Sequence, residues 1–169
     1  GQEMLAPQFE EIKEVYKCGP IKDDILILES GLFSRSGKKL AERETLISNL
    51  GFGFLKAERD SCIRLIHKSG IVVVSGCFTD YKIIGSSFIA AQKDQSWILF
   101  TLTGRQLELS DIQEVKELEG LIVLTRFGKK TLTTVQQIAG LAEHEEIKSD
   151  LVFDDVLTFA KDLLLVRQG

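Results

Sequence analysis

Three glycines preceded by serine or threonine recur along the chain at an almost constant spacing. They are Gly37, Gly70 and Gly104, which lie 33 and 34 residues apart. Glycine readily takes the positive φ that a tight turn requires, and each of these glycines lies between two apolar segments. A period of about 20 to 50 residues is typical of repeat proteins. The spacing therefore predicts a β-hairpin that is repeated along the chain.

A second motif consists of a large apolar residue, a polar residue, an acid and another large residue. Its copies begin at Phe9, Phe78, Ile112 and Phe153. Each unit also contains a short apolar segment, and these segments are Ile25–Leu28, Phe54–Leu55, Phe88–Ala91, Leu121–Leu124 and Leu163–Val166. A unit of about 34 residues then holds three strands and leaves too little chain for a crossover helix. We expect antiparallel sheets and an all-β fold.

The predicted architecture is a single repeat domain over residues 1–169. Its units span roughly residues 5–40, 41–74, 75–109 and 110–141, with a partial unit at 150–169. The fourth hairpin is expected at Thr131–Leu141. A three-stranded unit cannot bury its apolar face alone, so neighbouring units must stack in a propeller-like ring or in an open roll.

These motifs resemble those of the Trp-Gly repeat family, which is found mostly in bacterial proteins. The segment Gly31–Lys38 is similar to the first half of that family's unit, and Phe153–Val156 with Leu163–Val166 is similar to the second half, as is Glu119–Val123. Trp97 is the sole tryptophan and precedes an isoleucine rather than a glycine. The resemblance implies a repeat fold and brings no catalytic residues.

Composition narrows the classes of partner. The 169-residue chain has a net charge of −4, with 21 basic and 25 acidic residues interspersed, so no basic face is expected to bind nucleic acid. The longest apolar runs, such as Ile71–Val74, are far shorter than the roughly 20 residues of a membrane-spanning helix. If Gln2 is the first native residue, a signal peptide has been removed, which favours an exported bacterial protein of the periplasm or cell surface over a cytoplasmic one. If the chain starts at Met4, this argument does not apply.

The cysteines and histidines do not form a recognisable metal site. Cys18, Cys62 and Cys77 are an odd number at spacings that match no zinc motif, and the chain has only two histidines. Our interpretation is that the cysteines are small buried hydrophobic residues. One pair bonded as a disulfide, with the third thiol free, remains the alternative. No metal or cofactor is predicted.

No catalytic motif is present, so we expect a protein that is not an enzyme. Paired acids such as Asp154 and Asp155 recur in several units, which indicates a structural role, because a catalytic pair is needed only once. Trp97 and Tyr81 are the candidate binding residues, since amphipathic rings supply much of the energy of contacts with sugars and proteins. A core position is the alternative for Trp97.

The preferred function is a repeat scaffold that binds a protein or another macromolecule through its loops or a strand edge. A carbohydrate-binding module is the alternative, and a carboxylate-dependent hydrolase is the third option. An uncovered edge strand would also favour self-association.

Overall fold

The computed structural model describes residues 12–17, 24–42, 45–118, 120–141, 152–160 and 163–167. These residues are mostly β-strand, the strands of every sheet pair in antiparallel fashion, and one short helix interrupts them. The prediction of an all-β, antiparallel fold is therefore confirmed. The chain divides into two compact units, residues 1–78 and residues 79–169, which we call the N-terminal and C-terminal units. Their boundary falls inside the predicted unit 75–109.

The N-terminal unit contains two sheets. Its strands are β1 (Glu14–Tyr16), β2 (Ile25–Leu28), β3 (Gly31–Ser34), β4 (Lys39–Ala41), β5 (Thr45–Gly51), β6 (Phe54–Arg59) and β7 (Cys62–His67). Strands β1 to β4 form one sheet in chain order, and β5 to β7 form the other. Side chains from both sheets make one buried cluster, which consists of Ile25, Leu32, Leu55, Ala57 and Ile66. The two sheets of this unit therefore share a core.

The C-terminal unit is built on a seven-stranded sheet. Its elements are β8 (Asp80–Ile84), β9 (Phe88–Lys93), β10 (Ser96–Thr101), β11 (Ile112–Leu118), β12 (Leu121–Arg126), β13 (Lys129–Thr134), α1 (Val135–Leu141), β14 (Val152–Phe153), β15 (Asp155–Ala160) and β16 (Leu163–Arg167). Strands β8 to β14 lie side by side in chain order, and β15 pairs with β16. The buried core of this unit includes Trp97, Leu99, Ile112, Ile122 and Ile138.

Three hairpins in the chain have the same length and register. In β6–β7, β9–β10 and β12–β13, six residues pair with six across a two-residue turn. They begin at Phe54, Phe88 and Leu121, which lie 34 and 33 residues apart. Both turn residues take positive φ, as in Asp60 and Ser61 with φ of 51° and 61°. Two-residue turns of this kind match the natural twist of paired strands.

The glycines that define the sequence period form three similar turns. Gly37, Gly70 and Gly104 have φ of 83°, 75° and 89°, which confirms the predicted conformation. Each glycine N–H donates to the carbonyl three residues earlier, over 2.9, 2.7 and 2.9 Å. In each turn the side chain three residues before the glycine also bonds to the serine or threonine just before it, in the pairs Ser34–Ser36, His67–Ser69 and Thr101–Thr103. The turns are thus closed by both backbone and side-chain hydrogen bonds.

The strands expected after two of these turns are nearly absent from the described part of the chain. After Gly37 the chain forms β4, but the predicted strands Ile71–Val74 and Gln106–Leu109 are each reduced to a single bridge. Val72 bridges Ile66, and Gln106 bridges Phe100. The chain therefore leaves the sheet within a few residues of each turn.

The fourth hairpin, predicted at Thr131–Leu141, is wrong. Strand β13 ends at Thr134 and helix α1 follows at once. Gln137 stands where the other three turns have glycine, and the two side chains form a reciprocal cap: Thr134 Oγ1 accepts the Gln137 N–H at 3.2 Å, and Gln137 Oε1 accepts the Thr134 N–H at 2.9 Å. Without a glycine to reverse the chain, the capped turn continues as a helix. Across the described residues, no helix has the length and apolar character to cross a membrane.

Candidate functional site

The two candidate binding residues from the sequence are buried in the C-terminal unit. Tyr81 is 1% exposed and Trp97 is 6% exposed, and Trp97 belongs to the core cluster of this unit. The Lys82 Nζ lies 4.4 Å from the centroid of the Trp97 ring. A ring that is covered in this way stabilises the fold and has no free face on which a sugar could stack.

The acids singled out in the sequence are paired with cations. Asp154 contacts Lys129, and Asp155 Oδ1 lies 2.5 Å from Lys130 Nζ with Arg167 at 3.7 Å. Of the residues the structure describes, no three His, Cys, Asp or Glu side chains are grouped so that they could hold a metal ion. The copy of the motif at Phe9 lies outside the described residues.

A cavity of about 680 Å³ in the N-terminal unit is the best candidate for a functional site. We call it the aliphatic groove. Its apolar lining consists of Leu40, Leu65, Ile66, Ile71, Val72 and Val74, and its charged lining consists of Lys39, Glu42, Arg59 and Arg64. No aromatic side chain lines it. Sequence reasoning did not identify this site.

The alternation of side chains along β6 and β7 explains why the groove is apolar at one end and cationic at the other. Ile66, Arg64 and Cys62 are two residues apart and therefore share one face of β7. Arg59 pairs with Cys62 across the hairpin and so joins the same face. Ile66 belongs to the buried core of the unit, whereas Arg64 is exposed. The face that forms the core thus becomes positively charged toward the β6–β7 turn.

The segment from residue 70 to residue 77 forms one wall of the groove. It begins at the Gly70 turn, where an added Cβ would lie 3.4 Å from Leu40 Cδ2, and it includes the bridge between Val72 and Ile66. At Gly76 an added Cβ would come within 2.8 Å of the Phe78 ring, so this wall requires a glycine there. The Ile63 N–H donates to the Phe78 carbonyl at 3.0 Å, which returns the chain to β7.

A disulfide between Cys62 and Cys77 fixes the end of this wall. The interpretation of the cysteines as small buried hydrophobic residues is therefore wrong for this pair, and Cys77 is exposed. The two Cα atoms lie 5.0 Å apart because the Gly70 turn folds the intervening chain back along β7. Sequence spacing alone does not reveal such proximity. Cys18 lies outside the described residues.

Charged groups at the mouth of the groove make short contacts with one another. Lys39 Nζ lies 2.8 Å from Glu42 Oε2, and Arg59 Nε lies 3.4 Å from Asp60 Oδ2. The hydrogen bond from Lys39, then the positive charge of Lys39 and, to a smaller extent, that of Arg59 lower the pKa of Glu42. Three cationic side chains and one carboxylate line the groove. The site thus combines aliphatic surface with an excess of positive charge.

His67 lies at the end of β7, beside the Gly70 turn. Its ring is 4.9 Å from the Phe54 ring, and its Nδ1 is 2.7 Å from Ser69 Oγ. Burial lowers the pKa of His67 from its ordinary value of 6.5, and the charge of Lys68 lowers it further. These contacts give His67 a role in holding the turn.

The groove presents surface for binding and lacks the arrangement that covalent catalysis needs. Its lining contains no histidine that could act as a base, and its one carboxylate is paired with Lys39. A comparison of the chain with family models, with curated proteins and with solved structures found no match in any of the three.

Proposed function

We propose that the chain is a non-enzymatic scaffold of tandem three-stranded β-repeats that binds a partner protein through the aliphatic groove. Three hairpins of equal length and three glycine turns of similar geometry, each set spaced by 33 to 34 residues, support the repeat organisation. The resemblance to the Trp-Gly repeat family supports it as well. Stacking of such units in a propeller-like ring or an open roll is part of this proposal.

Exposed aliphatic side chains at the groove carry the functional part of the proposal. Ile71 and Val72 are 60% and 73% exposed, and they lie on a wall that the disulfide holds in place. Covering such side chains yields on the order of 1 to 2 kcal/mol each. A fixed wall loses little conformational freedom when a partner binds, so more of that free energy contributes to affinity.

The disulfide also supports export to an oxidising compartment, where such bonds persist. The carbohydrate-binding alternative has no comparable support, because Trp97 and Tyr81 are buried and the groove has no aromatic lining. Self-association through the same surface is the other form that the interaction could take.

The test is selection of a displayed random dodecamer peptide library on the full-length chain. We expect peptides whose binding is lost in the double variant Ile71→Asp/Val72→Asp. The matched control is Phe127→Asp, which places the same charge on a similarly exposed apolar residue of the C-terminal unit. Peptides that bind the double variant as well as they bind the parent chain would refute the groove as the site.

A further inference from the structure

The nature of the groove's lining identifies the kind of partner that fits it. The inference rests on the proposed function and concerns the chemistry of the bound segment. Leu65, Ile66 and Val74 are between 2% and 7% exposed, so the floor of the groove is continuous with the core of the unit. From this floor the apolar surface extends outward onto Ile71 and Val72.

This outward extension favours a macromolecule over a small ligand. A small molecule seated in the cavity would leave most of Ile71 and Val72 in water, whereas a polypeptide segment that runs across the groove would cover them. The absence of aromatic rings from the lining argues against a sugar or a nucleobase, since both are usually held by stacking. A protein segment with aliphatic side chains is the best match.

The charge of the groove is opposite in sign to that of the whole chain. Lys39, Arg59 and Arg64 outnumber Glu42 in the lining, although the chain carries a net charge of −4. Arg59 and Arg64 share the face of the β6–β7 hairpin that leads into the apolar floor. Arginine binds carboxylates through paired, charge-assisted hydrogen bonds. A segment that enters the groove would meet these guanidinium groups before it reaches the aliphatic floor.

The internal ion pairs of the groove do not prevent this recognition. In the Arg59–Asp60 pair the Asp60 side chain is 81% exposed, and in the Lys39–Glu42 pair the Glu42 side chain is 61% exposed. Exposed pairs of this kind contribute at most about 1 kcal/mol. A partner carboxylate that is desolvated on binding can therefore replace water or these weak pairs.

We infer that the groove binds an extended acidic segment of a partner protein, with aliphatic side chains on the floor and at least one carboxylate on Arg59 and Arg64. Complementary charge of this type speeds association and selects the partner, while the buried aliphatic contacts supply most of the affinity.

The dodecamer selection on the full-length chain tests this inference through the composition of the peptides. We expect enrichment of Asp or Glu next to Leu, Ile or Val. Binding of synthetic copies of these peptides should weaken about tenfold in the double variant Arg59→Gln/Arg64→Gln, and it should weaken as salt is raised. The matched control is Arg126→Gln, because Arg126 occupies the same position in the β12–β13 hairpin as Arg59 does in β6–β7.

The possible outcomes separate this inference from the proposed function. Neutral or basic peptides that still require Ile71 and Val72, or affinities that change less than about twofold in the arginine variant, would overturn the acidic segment and leave protein binding intact. A selection without any peptide that depends on Ile71 or Val72 would overturn both. Self-association in sedimentation that Val72→Asp abolishes would identify a second copy as the occupant and overturn the acidic segment.

Discussion

Removal of the Cys62–Cys77 disulfide is the perturbation whose size follows most directly from the structure. The bond joins residues 15 positions apart in sequence. In the chain-entropy treatment, a crosslink of about that loop length destabilises the unfolded state by about 3 kcal/mol. Cys77 is exposed and Cys62 is half-buried, so serine at both positions should cost little in the folded state itself. We therefore expect the double variant Cys62→Ser/Cys77→Ser to lose about 3 kcal/mol of stability.

The measurement is urea denaturation followed by far-ultraviolet circular dichroism. With an m value of about 1 to 3 kcal/mol per molar urea, the loss corresponds to a midpoint lowered by about 1 to 3 M. Reduction of the parent chain with a dithiol should produce the same shift, because it also opens the loop. Trp97 fluorescence gives a second signal, since the sole tryptophan lies in the core of the C-terminal unit.

Two controls make the result interpretable. The variant Cys18→Ser leaves the bonded pair intact and should keep the parent midpoint. Thiol titration of the denatured, unreduced chain should find one of the three cysteines reactive. Three reactive thiols would show that the bond does not form, and a midpoint shift below about 0.3 M in a chain that does carry the bond would refute the entropic reasoning.

Three further predictions concern the turns. Thr134→Ala removes the cap of α1 and should cost about 1 kcal/mol in thermal unfolding, whereas Thr134→Ser keeps the hydroxyl and should cost much less. Phe127 has φ of 50° and is 71% exposed, so Phe127→Asn should raise the melting temperature by relieving about 1 kcal/mol of backbone strain, and an unchanged value would contradict this. Because burial lowers the pKa of folded His67, the unfolded chain binds the proton more readily, and stability should fall as pH drops below 6.5. Midpoints of urea denaturation across that range should show the decline in the parent chain and a smaller one in His67→Gln.

Much of the fold could be predicted because its signals are local. A glycine at Gly37, Gly70 or Gly104 reverses the chain wherever its neighbours favour strands, so the turn positions can be read directly from the sequence. The antiparallel pairing follows from segment lengths that leave no room for crossovers. The helix was missed although its capping box, from Thr134 to Gln137, is also a local signal. The expectation of a fourth equivalent hairpin outweighed it.

The groove could not be predicted because it depends on where the chain leaves the sheet. The apolar run Ile71–Val74 suggests a buried strand, but the chain keeps only one bridge to β7 at Val72, and Ile71 and Val72 are exposed. The cationic end of the groove depends on the shared face of Arg59 and Arg64, which requires the hairpin register. Conversely, the burial of Trp97 reflects packing across several strands, and a single sequence does not contain that information.

Helix α1 also has a practical consequence for engineering. The chain leaves the seven-stranded sheet at Thr134 and returns at Val152, which pairs with Thr131 of the same strand. Strand β13 therefore holds both ends of the excursion, whatever its length. Because the entropic cost of a longer connection rises only slowly, by about 0.6 kcal/mol per doubling, a fluorescent tag or a second domain inserted after Leu141 should leave the sheet intact. This position offers a way to label the protein far along the sequence from the aliphatic groove.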